Sequence, residues 1–165
     1  MRRISVLIMG IFFLIAMPSP AKAMADFGFM QDSLEGKQAA DFTLPTVHGQ
    51  NVNLAQYSGG SKTIIFFWAT WCPHCREALK KISLMHAEIE AKGITLILVS
   101  IGESKEMVKN YLNTNQYQFD VVLDQNQSLS DSYQIQGIPT IFYLDENRKI
   151  KSIEHLFSGD YEKNF

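Results

Sequence analysis

Continuous apolar runs alternate with amphipathic stretches along most of the chain. Residues 63–68 carry no charge, a pattern typical of a strand that is buried on both faces. Residues 73–92 have apolar side chains three or four positions apart, which predicts a helix that Gly93 ends. Residues 94–101 predict a second buried strand. This alternation predicts an α/β fold, with helices covering the faces of a central sheet.

The remaining predicted elements are shorter. Residues 41–45 and 51–54 alternate in polarity on either side of a glycine-containing turn, which predicts a β-hairpin. Ser104 is placed to cap a helix that extends to residue 113. The other predicted elements are a strand at 119–123, a short helix at 128–133, and strands at 140–144 and 149–155. Little chain follows them, so we expect no full final helix and one thinly covered sheet face.

The first 23 residues differ in composition from the rest. Arg2 and Arg3 precede 14 residues without charge. The small residues Ala21 and Ala23 then occupy the two positions that a signal peptidase reads before a cleavage site at residue 24. We predict a signal peptide at 1–23, a leader at 24–38 and one domain at 39–165. An uncleaved anchor is the alternative, although a spanning helix needs about 20 apolar residues. The expected location is the periplasm or the extracytoplasmic face of a bacterial membrane, where disulfides persist.

The charge of the chain argues against nucleic acid as a partner. The formal net charge is −2, and it becomes −5 when residues 1–23 are removed with their three basic side chains. Binding to phosphate backbones requires clustered Lys and Arg. We therefore expect no nucleic-acid partner.

The two cysteines of the chain, Cys72 and Cys75, are separated by Pro73 and His74. As a structural staple, a disulfide closing about four residues would contribute only about 2 kcal/mol. As a zinc site, the pair lacks further ligands, because the four histidines of the chain show no HxxxH spacing. We expect no metal, although a non-catalytic metallochaperone remains an alternative class.

A redox role agrees with the position of the pair between a buried strand and a helix N-terminus. Free backbone N–H groups and the helix dipole would stabilise a thiolate at Cys72. Cys75 lies one turn into the helix, on the same face and less exposed. We predict Cys72 as the nucleophile that attacks a disulfide and Cys75 as the resolving thiol. No cofactor is expected beyond the redox-active Cys72–Cys75 disulfide.

Four stretches resemble the thioredoxin fold, and in particular its TlpA/ResA-type exported thiol–disulfide oxidoreductases, which are redoxins related to AhpC/TSA. They are FFWATWCPHCRE at 66–77, VSIGESKE at 99–106, FDVVLD at 119–124 and QGIPTIFYLDENRKI at 136–150. The resemblance implies a thioredoxin-like fold with a central mixed β-sheet, an N-terminal β-hairpin and a helix–strand insertion at 104–131. We expect the C-terminal helix of that fold to be missing or truncated here.

The resemblance also implies roles for single residues. Trp71 matches the aromatic residue before the first active-site cysteine, and with Pro73 and His74 it is expected to tune the redox pair. Pro139 matches a cis-proline that faces the cysteines, and Ile138 before it is expected to offer backbone groups to a bound substrate chain.

The chain departs from the family pattern at the residues that usually accept the proton of the resolving thiol. Phe66 occupies the position of a buried acid in thioredoxins, and Ala78 that of a glutamate in several family members; Glu77 is expected to face elsewhere. Solvent or another acidic residue must then accept that proton. We interpret Trp68 as a core residue. His86 is interpreted as a helix-surface or core residue, and Glu103 and Asp124 as turn or cap residues.

The direction of electron flow stays open at this point. The TlpA/ResA scaffold implies reduction of protein disulfides, often in cytochrome c maturation, with a membrane-bound electron donor or acceptor as a partner. The Pro73-His74 dipeptide resembles that of DsbA-like oxidants and favours an oxidase or isomerase. A thiol peroxidase with antioxidant activity is a lesser alternative, since only Thr70 matches the peroxiredoxin motif. A monomer is expected.

Overall fold

The structure is a computed structural model that describes residues 34–165. The predicted signal peptide and residues 24–33 of the predicted leader lie outside this part of the chain. Their boundaries, and that of the domain at 39–165, therefore stay predictions. Within residues 34–165, no helix has the length and apolar composition that crossing a membrane requires.

A small hairpin opens the described chain. Strands β1 (Thr43–Pro45) and β2 (Asn51–Asn53) pair antiparallel, as predicted. The strand predicted at 51–54 is one residue too long, because Leu54 begins helix α1 (Leu54–Ser58). The reason is a cap: the Asn53 side chain accepts a hydrogen bond from the backbone N–H of Gln56 at 3.0 Å, which satisfies a first-turn donor.

The central sheet has five strands: β3 (Thr63–Trp68), β4 (Thr95–Ile101), β5 (Val121–Asp124), β6 (Thr140–Leu144) and β7 (Ile150–Glu154). Their spatial order is β5-β4-β3-β6-β7. β4 pairs parallel to β3 and β5 parallel to β4, whereas β6 is antiparallel to β3 and β7 antiparallel to β6. The predicted mixed sheet is confirmed. Two predicted strands are shorter than expected, since β5 begins at Val121 and β7 ends at Glu154.

Three helices follow strands of this sheet: α2 (Pro73–Ala91), α3 (Lys105–Thr114) and α4 (Ser128–Ser132). Ser104 caps α3 as predicted, accepting a hydrogen bond from the N–H of Met107. Gly93 follows α2 with a φ of +69°, a conformation that few residues other than glycine adopt. The core lies on both faces of the sheet, and α2 buries one stripe of residues in it: Cys75, Ala78, Leu79, Ile82 and Ile89.

Residues 34–39 lie along the outer edge of β7. The N–H of Gly36 donates to Ile150 O at 2.8 Å, and Ile150 N–H donates to Lys37 O at 2.9 Å. The end of the predicted leader is therefore hydrogen-bonded to an edge strand that would otherwise present unpaired backbone groups.

The segment after β7 ends in a 3₁₀ helix, Tyr161–Asn164. Phe157 and Tyr161 are each 1% exposed and belong to the same apolar cluster as residues of α2 and β3. Lys92 binds Glu162 and lies 5.3 Å from the centre of the Tyr161 ring, which ties this segment to the end of α2. The face that we expected to be thinly covered is thus covered by buried aromatic side chains.

Candidate active site

The two cysteines form a disulfide at the N-terminus of α2, with their Cα atoms 5.2 Å apart. Cys72 is the N-cap residue, and its Sγ accepts a hydrogen bond from the backbone N–H of Cys75 at 3.2 Å. Cys72 is 4% exposed, whereas Cys75 is fully buried. The cysteine nearer to solvent is therefore also the one whose sulfur accepts a first-turn N–H.

This position has a direct chemical consequence for the reduced protein. First-turn N–H groups and the helix dipole stabilise negative charge at an N-cap. A thiolate at Cys72 gains that stabilisation, and the thiolate is the form that attacks disulfides. Pro73 fits the first helical position because its missing N–H would have no partner within the helix.

The loop before β6 lies against the sulfur pair. The Ile138–Pro139 peptide bond is cis, as the resemblance implied. The carbonyl oxygen of Ile138 lies 3.6 Å from the Sγ of Cys72. Ile138 is half-buried and Pro139 is buried. The fold thus brings together residues that are more than 60 positions apart, and their predicted role in holding substrate stays a prediction.

The surface around the pair is apolar and open on one side. Trp71, before Cys72, is 67% exposed. A groove of about 360 Å³ runs beside the pair and is lined by His74, Gly137, Ile138, Pro139, His155 and Leu156. Of these, His155 and Leu156 were not singled out as site residues from the sequence. The signal was weak, because they follow β7 and only strand pairing with β6 places them here.

Glu103 was expected to be a turn or cap residue, but its role in the structure is different. It is 3% exposed, and its carboxylate accepts hydrogen bonds from the backbone N–H of Thr70 at 2.9 Å and from the hydroxyls of Thr70 and Ser100. Ser104, not Glu103, caps α3. Glu103 therefore fastens the segment before Cys72 to the end of β4. Asp124, by contrast, caps α4 through Leu129 N–H and Ser130 N–H, as expected.

The positions of the usual proton acceptors agree with the expectation from the sequence. Phe66 is fully buried in β3, and Ala78 is 3% exposed on α2. Glu77 is exposed and lines a separate groove with Arg76. Neither Phe66 nor Ala78 supplies a carboxylate to the resolving thiol.

Trp68 and His86 lie where the sequence placed them. Trp68 is fully buried in the core, 5.6 Å from the ring of Tyr111. His86 is half-buried, and its ring lies edge-on to Phe119 at 5.2 Å. Across residues 34–165, no group of three or more His, Cys, Asp or Glu side chains is arranged to hold a metal ion. The expectation of no metal and no cofactor stays a prediction.

A model of the AhpC/TSA family matches residues 36–153. The chain belongs to this family. Sporulation thiol-disulfide oxidoreductase A of Bacillus subtilis (strain 168) is 31% identical over 115 residues, which cover 68% of this chain and 68% of that protein. Thiol-disulfide oxidoreductase ResA of the same organism is 27% identical over 129 residues, 78% of this chain and 72% of that one.

A solved structure extends the comparison to the fold. A thiol:disulfide interchange protein of Chlorobium tepidum TLS, described as a thioredoxin family protein, superimposes with a TM-score of 0.67 at 25% identity, covering 77% of this chain and 92% of that one. The predicted thioredoxin-like fold and ResA-type family are confirmed. This AhpC/TSA family member is a thiol–disulfide oxidoreductase.

Proposed function

We propose that this enzyme exchanges disulfides with protein substrates outside the cytoplasm, through Cys72 as the attacking thiol and Cys75 as the resolving thiol. One observation carries the assignment of these roles. Cys72 Sγ occupies the N-cap of α2, next to the groove and 3.6 Å from Ile138 O, whereas Cys75 is fully buried behind it. An incoming disulfide meets Cys72 first.

The exchange proceeds in two displacements. The Cys72 thiolate attacks one sulfur of the substrate disulfide, forms a mixed disulfide and releases the other substrate sulfur as a thiolate, which takes a proton from solvent. The Cys75 thiolate then attacks Cys72 Sγ, closes the Cys72–Cys75 disulfide and releases the second substrate thiolate. Two electrons pass to the substrate. Because Phe66 and Ala78 provide no carboxylate, the proton of Cys75 leaves to solvent or to the carboxylate of another acidic residue.

Reduction of the substrate is the direction we favour. The support is the resemblance of the whole scaffold to TlpA/ResA-type proteins, which reduce disulfides, often in cytochrome c maturation. A reductant becomes oxidised at each turnover, so it requires a membrane-bound electron donor to restore its dithiol. The enzyme acts as a monomer at the periplasmic or extracytoplasmic face of the membrane, where the predicted signal peptide would place it. It uses no cofactor besides its own disulfide.

One observation favours oxidation of substrates as a second candidate function. His74 is exposed on the first turn of α2, beside Cys72. An imidazole near the thiolate stabilises the reduced form and makes the disulfide more oxidising. In that case the membrane-bound partner accepts electrons instead of donating them.

Trapping the mixed disulfide tests the proposed roles. The reduced Cys75→Ala protein, mixed with insulin, is expected to form a covalent adduct that dithiothreitol releases, because no resolving thiol remains. The matched variant Cys72→Ala is expected to form little adduct, since its remaining thiol is buried. Equal adduct formation by both variants, or adducts through Cys75 alone, would contradict the assignment.

A further inference from the structure

His155 stands at the wall of the groove that runs beside the cysteine pair. It is the first residue after β7, and it lines this groove together with His74 and Leu156. The residue is exposed, yet its ring nitrogen Nδ1 contacts the neighbouring strand β6 and the loop before it. The two-step exchange described above makes no use of this ring.

The contacts of Nδ1 determine which ring nitrogen carries a proton. Nδ1 lies 3.2 Å from Thr140 Oγ1 and 3.3 Å from the carbonyl oxygen of Pro139. The Thr140 hydroxyl donates its single hydrogen to Gly137 O at 2.7 Å, so its oxygen can only accept from the ring. A carbonyl oxygen is also only an acceptor. Both contacts therefore require a hydrogen on Nδ1, in the neutral as well as the charged imidazole.

The same contacts hold the loop on both sides of Ile138. The carbonyl before it, of Gly137, accepts from Thr140, and the carbonyl after it, of Pro139, accepts from His155. The carbonyl of Ile138 itself is the one that faces Cys72 Sγ, at 3.6 Å. The side chains that fix the outer carbonyls thus determine where the middle one points.

We propose that His155 is a positioning residue for disulfide exchange. Its Nδ1–H fixes the loop 137–139 so that the backbone of Ile138 meets an extended polypeptide substrate next to Cys72. This inference rests on the proposed function, since it assigns the residue that aligns the substrate of that reaction.

The proposal separates two kinds of substrate. A polypeptide disulfide needs a backbone partner at Ile138 to align its sulfur with Cys72, whereas a small disulfide without a peptide backbone does not. Loss of the Nδ1 donor is therefore expected to impair only the first. Loss of one hydrogen bond that aligns the substrate changes a rate about tenfold. We therefore expect kcat/KM for a polypeptide disulfide to fall by about that factor.

Three substitutions of His155 form a matched series. His155→Phe keeps an aromatic ring at this position and removes the Nδ1–H donor. His155→Asn places an amide N–H close to the position of Nδ1, and His155→Gln moves that N–H toward the position of Nε2. Reduction of insulin, with dithiothreitol as the electron donor, and reduction of 5,5′-dithiobis(2-nitrobenzoate) by the pre-reduced protein are measured for each. The glutathione equilibrium of the cysteine pair and the thermal unfolding of the protein are measured as well.

We expect His155→Phe to lower kcat/KM for insulin about tenfold, mainly through KM, with the small-disulfide rate and the glutathione equilibrium within twofold of wild type. His155→Asn is expected to restore insulin reduction and His155→Gln to fail. Equal losses with both disulfides, or no loss with insulin, would overturn the proposal. If His155→Phe does not fold, the comparison of Asn with Gln decides, and equal activities of these two overturn it.

A measurement without turnover tests the assigned tautomer. Long-range ¹H–¹⁵N NMR in alkaline buffer is expected to find the His155 hydrogen on Nδ1. A hydrogen on Nε2 would overturn the proposal. Wild-type protein that reduces neither insulin nor the small disulfide would refute the proposed function, and with it the basis of this inference. Active wild type with an unaffected His155→Phe variant would refute the inference alone.

Discussion

Removing the Glu103 carboxylate tests whether this buried acid holds the segment that leads into Cys72. The carboxylate accepts from Thr70 N–H, from the Thr70 hydroxyl and from the Ser100 hydroxyl. Glu103→Ala removes all three hydrogen bonds. Glu103→Gln keeps an oxygen for two of the donors, and its amide N–H₂ can donate to the Thr70 oxygen once that hydroxyl has rotated.

The magnitudes follow from the burial of the partners. Hydrogen bonds to charged groups contribute about 1.5–3 kcal/mol each, and water recovers part of this where it can enter. Ser100 is fully buried, whereas Thr70 is half-buried, so water can replace only part of the lost contacts. We expect Glu103→Ala to lower the free energy of unfolding by about 3 to 4 kcal/mol. For Glu103→Gln we expect about 1 to 2 kcal/mol, because it loses mainly the charge of the acceptor.

Urea unfolding of the oxidised protein measures these differences while the Cys72–Cys75 loop stays closed. With a slope of about 2 kcal/mol per molar urea, Glu103→Ala is expected to lower the midpoint by about 1.5 to 2 M. Glu146→Gln, in an exposed turn, is the control and is expected to change stability by less than about 0.5 kcal/mol. A loss below about 1 kcal/mol for Glu103→Ala, or equal losses for Ala and Gln, would refute the reasoning.

Three further predictions concern the redox pair, a buried tyrosine and the segment after β7. His74→Pro is expected to make the Cys72–Cys75 disulfide less oxidising by about 30 to 60 mV in glutathione buffers, and an unchanged equilibrium would exclude tuning by the imidazole. Burial raises the pKa of Tyr143 to about 12, against a smaller lowering by the neighbouring Asn164 amide. The unfolded chain therefore loses this proton first, so the stability due to Tyr143 is present below about pH 10 and falls by about 2 to 3 kcal/mol as the pH rises to 12. Tyr143→Phe should flatten the plot of unfolding free energy against pH in this range. A plot identical to that of the wild type would contradict the raised pKa of Tyr143 as the cause. Phe157→Ala is expected to cost about 3 to 5 kcal/mol and Leu156→Ala, 64% exposed, less than about 0.5; comparable costs in urea unfolding would contradict the burial of this segment.

The parts of the fold that could be predicted are those in which local sequence and burial agree. Residues 63–68 form a strand because they are uncharged, almost entirely apolar, and lie between two other strands of the sheet. Residues 73–91 form a helix because proline, an apolar stripe and a following glycine all favour it. The candidate nucleophile could also be predicted, since an N-cap position is a local property.

The two contacts near the site that sequence reasoning missed both depend on strand pairing. Glu103 reaches Thr70 because β3 and β4 are parallel neighbours, so their carboxyl ends meet at one edge of the sheet. His155 reaches Thr140 because β6 and β7 are antiparallel, which brings the end of one strand to the start of the other. Glu103 was expected to be a turn or cap residue and His155 the last residue of a strand, and only the topology placed either of them beside the site.

The reduction potential of the Cys72–Cys75 pair tests the central claim most directly. The protein is equilibrated in glutathione buffers of graded ratio, and its free thiols are counted by mass. Thiol–disulfide proteins of this fold extend from about −270 mV for thioredoxin to about −120 mV for DsbA. We predict a reversible two-electron transition near −270 mV or below, as a reductant requires. A value toward −120 mV would reverse the proposed direction, and a pair that forms no disulfide at any ratio would contradict the redox account itself.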